Sequence, residues 1–468
     1  MNPQPILSIV ARPAPRSAPR EPRKTGIFAV SDVTDTARWL APSAPAARRG
    51  IWLSCLIALT ALFVFGNLAN YALLDLRYGW DLLVNCAAVD AHRAGLDPYF
   101  VKNLKGTSFS YPYLPVTLDV FRPLCAGGLL VDHYMGLYFV LAVLCGLLLP
   151  GLGRTRPRDV ALRVLCVLGA FVGFEWVQVS GNFAILSGVL TAIALMLLLR
   201  APTAGVPEEP GFALRLAGAA LLGLVMSFKL VFFLVPAALY LLPLPRGRKL
   251  LLMAVAAFSF ALPILISRLF YPDLFASWLL AIGGRIPGQH AVDLVEINPS
   301  LLLLAQNLLH HAGLESRPAV LATYALAALA LVLVPFALSV LRVAASRSVR
   351  EGGSRWSQLD RWLMDHPRAA MRITVLAMFA LYLCSPRLKE YAFFELALYA
   401  AILVADLPVR PLAAFLSVGL IAPALISLTR TTLEGTFVLL VAALICFWIL
   451  LLDFRAEPER LEMEGASP

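Results

Sequence analysis

Asp81 stands in a polar stretch, Arg77-Tyr78-Gly79-Trp80-Asp81, directly after the first long apolar run of the chain. A carboxylate at the edge of a bilayer is expensive to keep unless a site uses it. The chemistry it offers is that of a general base, taking the proton of a hydroxyl as that hydroxyl attacks. From Asp81 to Tyr99 the chain reads D-L-L-V-N-C-A-A-V-D-A-H-R-A-G-L-D-P-Y. Asp81 suits a helix N-cap, Leu82 to Ala94 has helix-forming composition, Gly95 ends the helix, and Asp97-Pro98 makes a turn. On such a helix Asp81, Asn85, Ala88 and His92 fall on one face, so a carboxylate, an amide and an imidazole share it. The plainer alternative is that Asp81 only caps the helix, and this segment alone does not decide between the two.

A base needs a leaving group to work against, and charge gathering on a departing phosphate calls for fixed cations. Lys229 stands where one apolar run gives way to the next, and Arg387 and Lys389 stand between two later runs. Arg387 has the geometry to grip a phosphate bidentately, and Lys389 supplies a point charge. The alternative for each is a side chain snorkelling to the interface. Glu175, Gln178 and Asn182 close the end of the third apolar run. They are suited to sugar hydroxyls, and slightly better suited to hydrogen bonds between helices. Trp80, Tyr99, Tyr111 and Tyr113 flank Asp81 and either stack on a sugar ring or belong to the interfacial aromatic belt. His290 and the His310-His311 pair are weaker candidates. Adjacent helical residues point about 100° apart, so the pair chelates poorly, and neither a metal nor a cofactor is expected.

The elements that must position these groups are membrane helices. The chain has 468 residues, 60% of them hydrophobic and only 15% charged, with a mean hydropathy of +0.78. That is the composition of an all-α polytopic membrane protein. Apolar runs fall at 51–74, 133–149, 160–179, 183–199, 212–228, 230–244, 250–269, 318–340, 371–384, 391–404, 411–428 and 433–452. They amount to about twelve spans, several shorter than the usual ~20 residues. The net charge of +10 is spread over the ends of these runs. It therefore speaks for topology and lipid headgroups, and against nucleic acid. Residues 1–50, rich in Pro, Ala and Arg and without the apolar core of a signal peptide, read as a disordered cytoplasmic tail.

With the N-terminus inside, the clusters Arg154/Arg156/Arg158, Arg246/Arg248/Lys249 and Arg342 to Arg368 all fall on the cytoplasmic side, as does the tail 454–468. Residues 51–453 then form one transmembrane domain with a cytoplasmic loop at 341–370. Two extracytoplasmic segments, 75–131 and 271–317, face the periplasm of a bacterial inner membrane. Within them 111–124 reads as a helix at the outer surface and 298–311 as a re-entrant or interfacial helix. Of the seven cysteines, five fall in or at the end of apolar runs. Cys86 and Cys125 share the first outer segment, where two free thiols are favoured over a bridge.

A Trp-neighboured Asp81, a short helix with Ala87, Ala88 and Ala91, then Gly95, Asp97, Pro98 and Tyr99, and downstream Tyr111, Pro112, Leu114 and Pro115 make up a pattern. It continues through Gly181-Asn182, Lys229 before a Pro-containing run, Asn298-Pro299-Ser300 and Ser385-Pro386. This order of features resembles glycosyltransferase family 87, whose members have the GT-C fold and include polyprenyl-phosphate-mannose-dependent α-mannosyltransferases. The resemblance implies an inverting transfer of a hexose from a polyprenyl-phosphate sugar to a lipid or glycan acceptor, with Asp81 as base. It is silent on the sugar: Tyr113 replaces the commoner Pro, and Arg387-Leu388-Lys389-Glu390-Tyr391 replaces the aromatic and paired His of some members. Asn85, His92, Asp97, Tyr99, Tyr111, Gln178 and Asn182 are the candidate substrate contacts, and Lys229, Arg387 and Lys389 the candidate phosphate contacts. The competing reading is a transporter or lipid-linked-sugar flippase. It asks for ionisable residues in mid-span, and the spans read as nearly free of them.

Overall fold

The computed structural model describes residues 46–73, 79–126, 128–152, 156–200, 208–286, 298–347, 355–429 and 437–465. Nearly all of the expected N-terminal tail, and His290, lie outside them. Every regular element among the described residues is helical. The first is α1 (Ala46–Leu73), followed by α2 (Trp80–Arg93), α3 (Thr117–Cys125) and α4 (Leu129–Leu148). Then come α5 (Pro157–Gly169), α6 (Gly173–Ser180), α7 (Ala184–Leu198) and α8 (Glu208–Phe228). α9 (Arg246–Phe270), α10 (Pro272–Ile282) and α11 (Leu301–His311) follow. α12 (Arg317–Ala328) runs into α13 (Val334–Arg347) through a π-helical turn, and α14 (Arg355–Asp365) precedes α15 (Pro367–Leu383) and α16 (Phe393–Val404). α17 (Val409–Leu416) and α18 (Ala422–Thr429) are likewise joined by a π-helical turn, and α19 (Phe437–Gly465) ends the described chain.

Eight helical stretches among the described residues are long and apolar enough to cross a membrane, which makes this a multi-pass membrane protein in composition and form. The other four apolar runs form shorter pieces, and their burial explains why. α16 has 12 residues, every one of them buried, and spans only about 18 Å at 1.5 Å per residue. It packs among α5, α6, α7 and α15, so its ends meet protein and not lipid, and it need not match the bilayer. The run at 230–244 departs from the continuous helix expected of it. It forms 3-10 turns at Leu230–Phe232 and Val235–Leu241, with Pro236 breaking the α pattern. The run at 160–179 is broken too, at Phe171 and Val172, which both have positive φ. Phe171 is fully buried there among Phe379, Phe393 and Phe415.

The loop at 341–370 folds onto the bundle. Leu359, Trp362 and Leu363 of α14 bury into a small core with Val340, Val343 and Ile373. The wholly buried Lys249 of α9 donates to Asp360 at 2.8 Å, which fixes α14 against the start of α9. Arg372 and Asp453 make a second buried pair, at 2.9 Å, between α15 and α19. Of the two outer segments, 298–311 yields α11, capped by Ser300, whose hydroxyl accepts from Leu303 N at 3.2 Å. The segment 111–124 yields α3 only from Thr117 onward.

The preference for free thiols at Cys86 and Cys125 is overturned. They form a disulfide between α2 and α3, with Cα atoms 5.4 Å apart. The two helices pack side by side, a proximity that a separation of 39 residues does not reveal. By chain entropy a loop of that length contributes about 4 kcal/mol. Alkylation of the unreduced, denatured protein should therefore modify Cys55, Cys145, Cys166, Cys384 and Cys446 only, with two more sites appearing after reduction. Seven modified cysteines without reductant would refute the bridge.

Candidate functional site

The position of Asp81 is set by two glycines. α2 starts at Trp80, and its cap is Gly79 in the left-handed region at φ 54°. Asp81 is thus the second helical residue and not the cap, which corrects the N-cap reading. Gly79 N donates to Val179 O at 3.0 Å. Across the contact, Gly181 holds φ 68°, and a Cβ there would lie 3.0 Å from Leu82 Cβ and 3.3 Å from Gly79 Cα. Only glycine allows both the backbone conformation and the approach. The turn is held from outside by Tyr138, whose hydroxyl donates to Gly181 O at 3.2 Å. The start of α2 is therefore docked on the α6–α7 turn, and the next residue, Asn182, donates from Nδ2 to Asp81 Oδ2 at 2.7 Å. The other end of that amide accepts from Ala184 N at 2.8 Å.

Asp81 is half-buried, and the partial desolvation of its carboxyl pushes its pKa up. The Asn182 donor, the charge of Lys389, the neighbouring Ser180 and the charge of Lys229 oppose the rise. The first turn of a helix adds a favourable dipole for the ionised form. Such a carboxyl holds a proton more readily than a surface aspartate and is correspondingly a better acceptor for one.

The cations predicted from widely separated parts of the chain arrive at the same place. Lys229 occupies an extended residue between α8 and the first 3-10 turn. Its Nζ lies 4.2 Å from the centroid of the Tyr391 ring and within electrostatic reach of Asp81, Lys389 and Arg387. The loop between α15 and α16 is pinned on both sides. Leu388 N donates to Asn298 Oδ1 at 2.8 Å, and Tyr324 donates to Cys384 O at 2.5 Å. Leu388 is buried, whereas Arg387 on one side of it is exposed and Lys389 on the other is half-buried. Asn298-Pro299-Ser300 and Ser385-Pro386, distant in sequence, are thus parts of one support. Tyr113 and Tyr391 complete the wall, both close enough to Asp81 and Arg387 to feel their charges.

Several predicted contacts are placed elsewhere. Tyr99 and Tyr111 are fully buried. Tyr99 donates to Tyr113 O at 2.7 Å, and the Tyr111 hydroxyl bonds Thr117; both are packed into the core. Asp97 closes its own turn by accepting from Tyr99 N at 2.9 Å. Gln178 donates to Met135 O at 3.2 Å, a bond between helices. Asn182 bonds Asp81 through Nδ2 and Ala184 N of α7 through Oδ1, so it positions the Asp81 carboxyl. His92 lies three turns along α2, roughly 16 Å from Asp81 at helical rise, edge-on to Tyr271. Asn85, one turn from Asp81, is buried, with neither amide atom hydrogen-bonded among the described residues.

The sequence reading missed Tyr391 as part of the site. It also missed buried charge in the spans at Glu395, bonded by Ser187 and Thr191, and at Arg163; Glu175, named at the end of the third run, is bonded by Asn67 and Ser427, as a partner between helices is. A carboxylate inside an apolar run is itself the signal, and it was passed over at Glu395. No family model, no curated protein and no solved structure matches the chain.

Two outcomes test this geometry. Infrared difference titration should find Asp81 protonating above the usual carboxylate range. Asn182→Ala should raise that point further, because the lost donor favours the charged form; no shift, or a downward one, contradicts the contact. Gly181→Ala should cost about 1–3 kcal/mol through its left-handed backbone, read as a fall in Tm.

Proposed function

We propose that this chain is an inverting glycosyltransferase of the GT-C type, with about twelve spans. In this reading it moves a mannose-like hexose from a polyprenyl-phosphate sugar to a lipid-linked or glycan acceptor, at the periplasmic face of a bacterial inner membrane. The observation that carries the reading is that one half-buried carboxylate, Asp81, lies within electrostatic reach of Lys229 and Lys389, and Lys229 in turn of Arg387, cations drawn from two separate loops.

The chemistry needs both halves. The acceptor hydroxyl gives its proton to Asp81 while its oxygen attacks the anomeric carbon. The bond from that carbon to the phosphate oxygen breaks, and its electron pair leaves with the prenyl phosphate. The donor is a phosphodiester of charge about −1, and the departing monoester carries about −1.5 to −2. Fixed cations therefore bind the leaving group more strongly than the donor, which is the differential that lowers a barrier. A phosphate leaves without protonation, so one carboxylate suffices. Tyr113 and Tyr391, both close enough to Asp81 to feel its charge, offer ring surface on which a sugar can stack.

A transporter or flippase is the second reading. Glu175, Glu395 and Arg163 favour it, because ionisable groups inside spans mark translocation paths. It ranks second because Asp81, Lys229, Arg387 and Lys389 all stand at helix ends, where α2 begins and where α8 and α15 stop. Sugar uptake by proteoliposomes without transfer would reverse the order.

Asp81→Asn should lower hexose transfer by about 10²–10⁴-fold and leave the folded protein at least as stable at neutral pH. The sign follows from the raised pKa: ionised Asp81 costs stability as pH climbs through its folded value, and the amide escapes that cost. Retention of more than a few per cent of the activity would remove Asp81 as base. Wild-type kcat/KM should fall as pH drops through the same raised value, above the range of an ordinary carboxylate. Arg387→Ala should weaken donor use by about 10–100-fold, read as a rise in donor KM; an unchanged KM would count against its phosphate role.

A further inference from the structure

Lys229 is placed where a lysine ammonium is hard to keep. Its Nζ is shut from solvent and makes no hydrogen bond among the described residues, and it lies within reach of two other cations, Lys389 and Arg387. Desolvation and like charge both favour a neutral amine, which cannot hold a phosphate. The face of Tyr391 offsets part of this. The remaining offset comes from Glu395, in the first turn of α16 and 2% exposed. One of its oxygens accepts from Ser187 Oγ at 3.0 Å and Thr191 Oγ1 at 3.3 Å. These two hydroxyls stand one turn apart on α7 and fix the carboxylate in place. Its second oxygen accepts no hydrogen bond among the described residues. Tyr391, whose ring the Nζ faces, lies in the turn that directly precedes α16, which brings Lys229 within electrostatic reach of Glu395 as well as of Asp81.

We propose that Glu395 is the positioning residue for Lys229, held by Ser187 and Thr191 so that a charged ammonium is presented to the phosphate of a prenyl-phosphate ligand beside Asp81. The proposal rests on the glycosyl-transfer reading and adds to it a residue deep in the bundle that touches neither substrate. It also gives the buried carboxylate of a fully enclosed helix a task. Without it, the cation on the inner side of the site would be lost, and only Arg387 and Lys389 would face the phosphate.

The test uses the full-length protein in detergent, with calorimetric titration of a short-chain prenyl phosphate and of the matching prenyl alcohol. Glu395→Gln keeps the shape and an acceptor for the two hydroxyls but removes the charge. Affinity for the phosphate should fall about tenfold, the size of one weakened charge-assisted contact, with affinity for the alcohol unchanged. Lys229→Met should show a similar loss, and the double variant should be no weaker than Lys229→Met alone. Should the amide variant not fold, the same cycle is run with Glu395→Asp, which must weaken phosphate binding only when Lys229 is present. Unchanged phosphate affinity in the Glu395 variant, additive losses in the double variant, or equal loss of the alcohol each overturns the proposal while leaving the glycosyl-transfer reading standing. A wild type that binds no prenyl phosphate overturns both.

Discussion

The close approach of the start of α2 to the α6–α7 turn is the constraint on which the candidate site depends. Gly79 and Gly181 meet with left-handed backbones at a separation that admits no Cβ on Gly181 without displacing Leu82. That contact sets the register in which Asn182 reaches Asp81. The disulfide from Cys86 to Cys125 then ties the same helix to α3. Asp81 is thus carried by a short helix anchored at its beginning by hydrogen bonds and along its length by a covalent link. A group asked to accept a proton at one geometry benefits from such preorganisation.

The electrostatics follow from this placement. Burial disfavours the charged form of Asp81, and one amide donor with two nearby ammonium groups restores part of what burial removes. The three cations repel one another, and a site containing only them and Asp81 would be unbalanced. Two carboxylates, Asp81 and Glu395, both favour the charged form of Lys229.

Aromatic residues around the site divide by burial in a manner composition alone does not indicate. Tyr99, Tyr111, Tyr113 and Phe121 form a continuous cluster of edge-on and tilted rings. Only Tyr113 of these lies within reach of Asp81. The other two tyrosines have their hydroxyls committed inside the protein. The Asp97-Pro98-Tyr99 turn likewise satisfies its own polar groups. Asp97, Tyr99 and Tyr111, candidate contacts in the sequence, are each hydrogen-bonded within this segment.

The multi-pass helical class, most span positions and the short helices within 111–124 and 298–311 were legible in the amino-acid order, where Asp81, Lys229, Arg387 and Lys389 could be singled out as candidates. Each follows from local facts: apolar run length, and charge in an apolar context. What tertiary structure alone decided is which polar groups meet. The Asn298–Leu388 bond, the Asn182–Asp81 bond, the pairing of Cys86 with Cys125 and the neighbourhood of Lys229 and Glu395 all join residues far apart in the chain. Helical periodicity reports which face a side chain occupies, not what stands opposite it. For the same reason the break of the helix expected at 230–244 into 3-10 turns and the short, enclosed α16 were not foreseen: whether an apolar run faces lipid or protein is settled by its neighbours, and only a lipid-facing run must satisfy every backbone group by itself.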